Sequence, residues 1–182
     1  MKIVAMLGVI FFATGSYADE GVTLDLEAQP LEVALLGNVR SPAVDEAVFR
    51  MDTASGIHAR MHIYYAFVAL DYQHYYDLAL DQLHAGVGYS LPLELGRAAD
   101  WFSDARCVLR ASLGFLILGG HGSEQGKKVY RTEMGGRLGA MVSMEFGLTR
   151  FLVAGAHMGV DALYAKDFGF SVSLVGTIGL RL

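Results

Sequence analysis

The chain ends in FGFSVSLVGTIGLRL, residues 168–182, and the reading of this stretch decides the fold. Phe168, Phe170, Val172, Leu174, Ile178, Leu180 and Leu182 share one parity, interrupted only by Gly176. Gly169, Ser171, Ser173, Thr177, Gly179 and Arg181 share the other, with Val175 as its one apolar exception. Successive side chains of a strand point to opposite faces, so this is a β-strand with an apolar face and a polar one. The last residues of a soluble domain usually fray into water. Here alternation runs to the final residue, and something apolar has to receive Leu182.

The opposite end reads as an export signal. Lys2 supplies a short positive region, Ile3–Ala13 an apolar run, and Ser16-Tyr17-Ala18 a small-x-small cleavage site ahead of Asp19-Glu20. The apolar run is short for a membrane span and polar sequence follows it directly. Met1–Ala18 is therefore expected to be removed, leaving residues 19–182 as one domain. Loss of Lys2 takes the formal charge from −5 to −6. An acidic chain without a basic run is a poor nucleic-acid binder. Cys107 is the only cysteine, which excludes an internal disulfide and any multi-cysteine metal site.

Composition narrows the class. Hydrophobic residues make up 53% of the chain, yet after the signal no uncharged stretch exceeds the thirteen residues of 111–123 and 168–180. A spanning helix needs about 20 predominantly apolar residues, so helices cannot account for this hydrophobicity. Only helices and closed barrels satisfy every backbone group in hydrocarbon. Export, apolarity, 22 glycines and alternation together point to a barrel.

The pattern recurs upstream. In 151–164, Leu152, Ala154, Ala156, Met158, Val160, Ala162 and Tyr164 oppose Gly155, His157, Gly159 and Asp161. In 128–148, Tyr130, Met134, Leu138, Ala140, Val142, Met144, Phe146 and Leu148 oppose Arg131, Glu133, Arg137, Ser143 and Glu145. In 106–118, Cys107, Leu109, Ala111, Leu113, Phe115 and Ile117 oppose Arg106, Arg110, Ser112 and Gly114. A soluble sandwich also alternates, but 128–148 far exceeds the usual 5–6 residues of its strands.

HARMHIYYAFVALDY (58–72) reads as a further strand, with Met61, Ile63, Tyr65, Phe67 and Ala69 towards lipid. In 75–93, Leu83, Ala85, Val87, Tyr89 and Leu91 form an apolar track, but Asp77 and Asp81 share its parity. Either that strand rises above the bilayer or a bulge switches its faces. These segments make six strands. VTLDLEA (22–28) and VDEAVFRM (44–51) are the candidates for two more, which an even-numbered barrel of at least eight requires. A periplasmic plug or arm is the alternative for 19–56.

Tight connections are expected at Gln73-His74, Thr149-Arg150 and Ala165–Asp167, with longer loops at 94–105 and 119–127. Aromatics then fall at two levels: Tyr72, Tyr75, Tyr76, Tyr130, Tyr164 and Phe168 outside, and Tyr89, Trp101, Phe102, Phe146 and Phe151 below. Two such girdles mark the interfaces of a membrane barrel.

On its signal, its alternation and its terminal strand, the chain resembles the small outer-membrane β-barrels of Gram-negative bacteria, the OmpA-, OmpX- and OmpW-like superfamily. The resemblance covers 57–182 and, more loosely, 22–56. It implies an all-β, antiparallel up-and-down transmembrane barrel of eight strands, located in the outer membrane. It also implies a final strand that the outer-membrane insertion machinery recognises, usually ending in an aromatic. Leu182 stands in that place here.

Some barrels of this superfamily modify lipid A, and His121-Gly122-Ser123-Glu124 superficially resembles the His-x-Ser of the lipid A deacylases. A nucleophilic serine needs a positioned base, and a loop with Gly119, Gly120, Gly122 and Gly126 would hold one poorly. His157 and Asp161 lie about 13 Å apart on one strand face at 3.3 Å per residue, so each should answer a cross-strand neighbour. His58 and His62 do not by themselves fill a tetrahedral metal shell. Arg106, Arg110, Arg131, Glu133, Arg137, Glu145 and Arg181 lie opposite the lipid face, where an eight-stranded barrel is just wide enough for side chains to fill it. A paired lattice closing the pore is expected.

The functional expectation is thus a structural or interaction barrel with no catalytic residue, cofactor or metal. Its partners would be outer-membrane lipids and the insertion machinery, with no nucleic acid. A lipid A-modifying enzyme, a conduit for small apolar molecules and a soluble periplasmic calyx are the alternatives.

Overall fold

A computed structural model describes residues 21–40, 47–96, 105–124 and 127–182. The expected export signal, Met1–Ala18, and the girdle candidates Trp101 and Phe102 lie outside the described residues. Eight strands follow in chain order: β1 (Val22–Arg40), β2 (Ala47–Ile63), β3 (Ala66–Tyr75), β4 (Leu80–Gly96), β5 (Ala105–Glu124), β6 (Lys127–Gly147), β7 (Leu152–Tyr164) and β8 (Phe168–Arg181). Each pairs antiparallel with its neighbours, and β1 pairs with β8 to close the barrel. Closure reaches the last residue: Leu24 and Leu182 exchange backbone hydrogen bonds of 2.9 and 3.0 Å. Gly21, the carboxyl end and the turns at 64–65 and 148–151 mark the lower end; the turns at 76–79 and 165–167 mark the upper.

From β5 to β8 the ladders run without a register shift, and the faces fall as the alternation predicts. Leu113, Met134, Leu138, Met158, Val160 and Leu174 are exposed on the outer wall, while Arg110, Ser143, Glu145, His157 and Asp161 are buried inside. The wall is apolar outside and carries buried charged groups inside, the reverse of a soluble barrel.

The amino-terminal half departs from the expectations at several points. β1 extends well beyond 22–28 because a bulge at Pro30-Leu31 absorbs a break in alternation, so that Gln29 and Glu32 both point inward. Proline has no N–H to give a ladder, and a bulge is where a sheet accommodates it. Of the stretch 44–51, residues from Ala47 onward open β2, and 44–46 lie outside the described residues.

Residues 58–72 are not one strand. Tyr64 and Tyr65 form a two-residue turn with Tyr64 at φ 56°, and Ile63 pairs directly with Ala66. A two-residue turn reverses the phase. Val68 and Leu70 therefore face outward, while Phe67 and Ala69 point inward, contrary to the sequence reading.

Gln73-His74 is likewise strand and not turn. β3 runs to Tyr75, pairing Gln73 with Gln82 and His74 with Asp81, and the turn is Tyr76–Ala79. Asp52 holds this turn: its carboxylate accepts the Asp77 N–H at 3.1 Å and the Leu78 N–H at 3.0 Å. Tyr75, expected in the outer girdle, points inward and is only 1% exposed. β4 carries no shift between Leu80 and Glu94, so the shared parity of Asp81 reflects a strand that rises above the apolar band. The segment 119–127, expected as a loop, is strand up to Glu124, with β6 beginning at Lys127.

Candidate functional site

The interior divides into two storeys. In the lower one, Glu145 accepts from Arg106 at 2.9 Å, from Arg181 at 2.7 Å and from Arg110. Arg181 also reaches Asp25 at 2.8 Å, tying the last strand to the first. Above them Arg60 donates to Glu27 at 2.8 Å, and Arg137 makes a two-point contact with Asp161 at 2.8 and 3.0 Å. Such forked pairs fix orientation as well as charge. The void at this level is about 40 Å³, room for water rather than a solute.

The upper storey is mainly apolar, with Asp52 and Glu32 as buried carboxylates at its edge. Leu36, Val39, Tyr75, Leu80, Leu116, Leu118 and Leu163 pack together with Leu78, which the β3–β4 turn folds into the barrel. The charged lattice expected from sequence is present, but it fills only the lower part.

The histidines that sequence singled out are held by cross-strand neighbours. His157 contacts Ser143 on β6 and Thr177 on β8, each at 2.6 Å, and Asp161 takes Arg137. His58 and His84 flank Asp71, and His62 lies 3.3 Å from both Ser90 and Asp25. His121 faces outward with its ring edge-on to Tyr130 at 5.0 Å. Of the Ser123 and Glu124 side chains nothing is described.

The outer wall at the upper rim carries a grouping that the sequence reading missed. Ser55 on β2 pairs with His74 on β3, and His74 pairs with Asp81 on β4. All three sit on the outward parity of their strands. His74 Nδ1 lies 2.8 Å from Asp81 Oδ1. The phenol of Tyr72 donates to the same carboxylate at 2.8 Å and that of Tyr130 at 3.1 Å. Tyr130 crosses β5 to get there, lying flat over Gly119, where a Cβ would collide with its ring. Ser55 Oγ lies 2.6 Å from the Tyr76 hydroxyl, and the Tyr76 ring stands edge-on to His74 at 5.3 Å.

One residue pair below this row, Ile57, Tyr72 and Leu83 are themselves in register. They form the upper end of an apolar groove of about 380 Å³ that descends the outer wall past Leu70, Ala59 and Ala28. Small side chains at Ala28 and Ala59 leave the depression between larger neighbours. A polar row thus stands at the head of an apolar channel open sideways.

No family model and no curated protein matches the sequence. Among the solved structures that share the fold are three small barrels. The N-terminal β-barrel domain of Pseudomonas aeruginosa OprF aligns at TM-score 0.53 and 14% identity, over 88% of this chain and 97% of that one. Neisserial surface protein A aligns at 0.51 and 16%, over 89% and 96%. Ail, the attachment invasion locus protein of Yersinia pestis, solved with the heparin analogue sucrose octasulfate, aligns at 0.51 and 12%, over 90% and 99%. All three are small eight-stranded outer-membrane barrels, and the chain shares their closed, all-antiparallel architecture.

Proposed function

We propose that the chain is an outer-membrane barrel, closed to solutes, whose work is done by its outer wall and rims. The observation that carries this is the inversion of the wall. Large apolar side chains are exposed on all eight strands, among them Leu31, Met51, Val68, Val87, Leu113, Leu138, Val160 and Leu174, around an interior that holds the buried charges. In water this surface would be an aggregation liability, whereas in a bilayer it is the solvated face. A soluble calyx has the opposite polarity. A conduit through the barrel is disfavoured by the apolar upper storey and the small lower void.

The upper rim, with the short turns at 76–79 and 165–167, would face outside, and the carboxyl end the periplasm. Tyr72, Tyr76, Tyr130, Tyr164 and Phe168 would then form the outer girdle, and Tyr65, Tyr89 and Phe151 the inner one. Outer-membrane lipids would be the surrounding partner, and the insertion machinery would read β8. A structural or interaction role requires no catalytic residue, and the HGSE segment is given none. The second reading, a lipid-modifying barrel, is favoured by one observation, the Ser55–His74–Asp81 row.

Cell fractionation with heat-modifiable gel migration tests the location. The full chain should appear in outer-membrane fractions and migrate faster before boiling than after. Recovery as a soluble periplasmic protein would overturn the proposal.

A further inference from the structure

Ser55, His74 and Asp81 reach one row only because three strands align them, from positions separated by a turn and by most of two strands. Asp81 is held by three donors, His74, Tyr72 and Tyr130. An ionised carboxylate can only accept, so it places the imidazole proton on Nδ1 and leaves Nε2 as the basic nitrogen. Ser55 and His74 are directly opposed on neighbouring strands, where Cβ atoms lie about 4.5–5.5 Å apart and the two side chains are within reach of each other. Nucleophile, base and orienting carboxylate are in the order that acyl transfer requires.

We propose that this row hydrolyses acyl esters of lipids in the surrounding leaflet, with Ser55 as nucleophile, His74 as general base and Asp81 as the residue that positions the base. The proposal rests on the outer-membrane reading above. The substrate class follows from the groove: its apolar floor receives an acyl chain from the side, and its head brings the ester to the level of Ser55. Ser55 Oγ attacks the ester carbonyl carbon while its proton passes to His74 Nε2. The carbon–oxygen bond to the alcohol then breaks and His74 returns the proton to the leaving oxygen. Water, activated by the same imidazole, cleaves the acyl-serine and releases the fatty acid. Tyr76, whose hydroxyl holds Ser55 at rest, is placed to donate to the oxyanion as it forms.

The test uses the full protein folded in detergent micelles, with heat-modifiable migration confirming the barrel in every variant. A long-chain alkyl fluorophosphonate should label Ser55, located by peptide mass spectrometry, and Ser55→Ala or His74→Ala should abolish the adduct. With para-nitrophenyl laurate, Asp81→Asn should lower kcat by at least about 100-fold at little change in KM, and Asp81→Glu should recover part of it. Tyr76→Phe should lower kcat less. Vesicles of phosphatidylethanolamine and vesicles containing lipid A distinguish the ester's source, and fatty acid released from either supports the proposal. A correctly migrating wild type that takes no label and releases no fatty acid overturns it while leaving the barrel intact. Turnover that persists in Ser55→Ala overturns it equally.

Discussion

The two storeys of the interior close the same barrel by different physics. The lower one gathers Arg106, Arg110 and Arg181 on a single buried carboxylate, Glu145. The upper one is a packed apolar cluster around Leu116 and Leu36, neither more than 1% exposed. Ion pairs in a dry interior fix register but pay heavily in desolvation, so their value lies in the damage done when one partner is lost. Apolar packing is less directional and tolerates change of shape better than loss of volume. The lower storey therefore specifies how the strands align, and the upper one seals the tube.

The largest effect should follow from breaking the lower storey at its centre. Glu145→Ala removes the carboxylate that three guanidinium groups share, leaving Arg181 only Asp25 and Arg110 only the Ser143 hydroxyl, and should cost about 3–5 kcal/mol of folding stability, read by guanidinium unfolding in micelles. Leu116→Ala in the upper storey should cost about 2–4 kcal/mol by leaving a cavity. A smaller cost for Glu145→Ala than for Leu116→Ala would reverse the assignment of roles. Asp52→Ala removes the acceptor of two turn N–H groups and should cost about 1–2 kcal/mol, with faster amide exchange at Asp77 and Leu78. Leu182→Phe lies outside both storeys and should change stability within about 0.5 kcal/mol; a larger loss would mean that the terminal side chain packs on protein instead of lipid.

How far the sequence was legible depended on phase. β5 to β8 keep one alternation each and both faces could be read residue by residue, although the glycines at 119, 120 and 122 disguised the upper end of β5 as a loop. β1 hides a strand behind Pro30, since a bulge turns one clean pattern into two misaligned ones. The Tyr64-Tyr65 turn has no glycine, proline or asparagine to announce it, and alternation ran straight through. The same error misplaced the following turn and concealed the outer row, because Ser55, His74 and Asp81 meet only when β2, β3 and β4 are in true register. One clue was visible: the parity of Asp81, which with Asp77 set carboxylates on the track of Leu83, Ala85 and Val87.

The bond between Arg181 and Asp25 joins residues 156 positions apart. Closing a loop of that length costs an unfolded chain about 4–5 kcal/mol of entropy on a (3/2)RT ln n scale. That charge falls due all at once, at the final pairing, because every other ladder joins neighbours in sequence. Seven hairpin-like steps can proceed locally, but the eighth waits until the last residues have emerged. Such topologies fold slowly. A chain interrupted anywhere before β8 is left with two open edges and no partial barrel to fall back on, so assembly itself discriminates complete chains from incomplete ones.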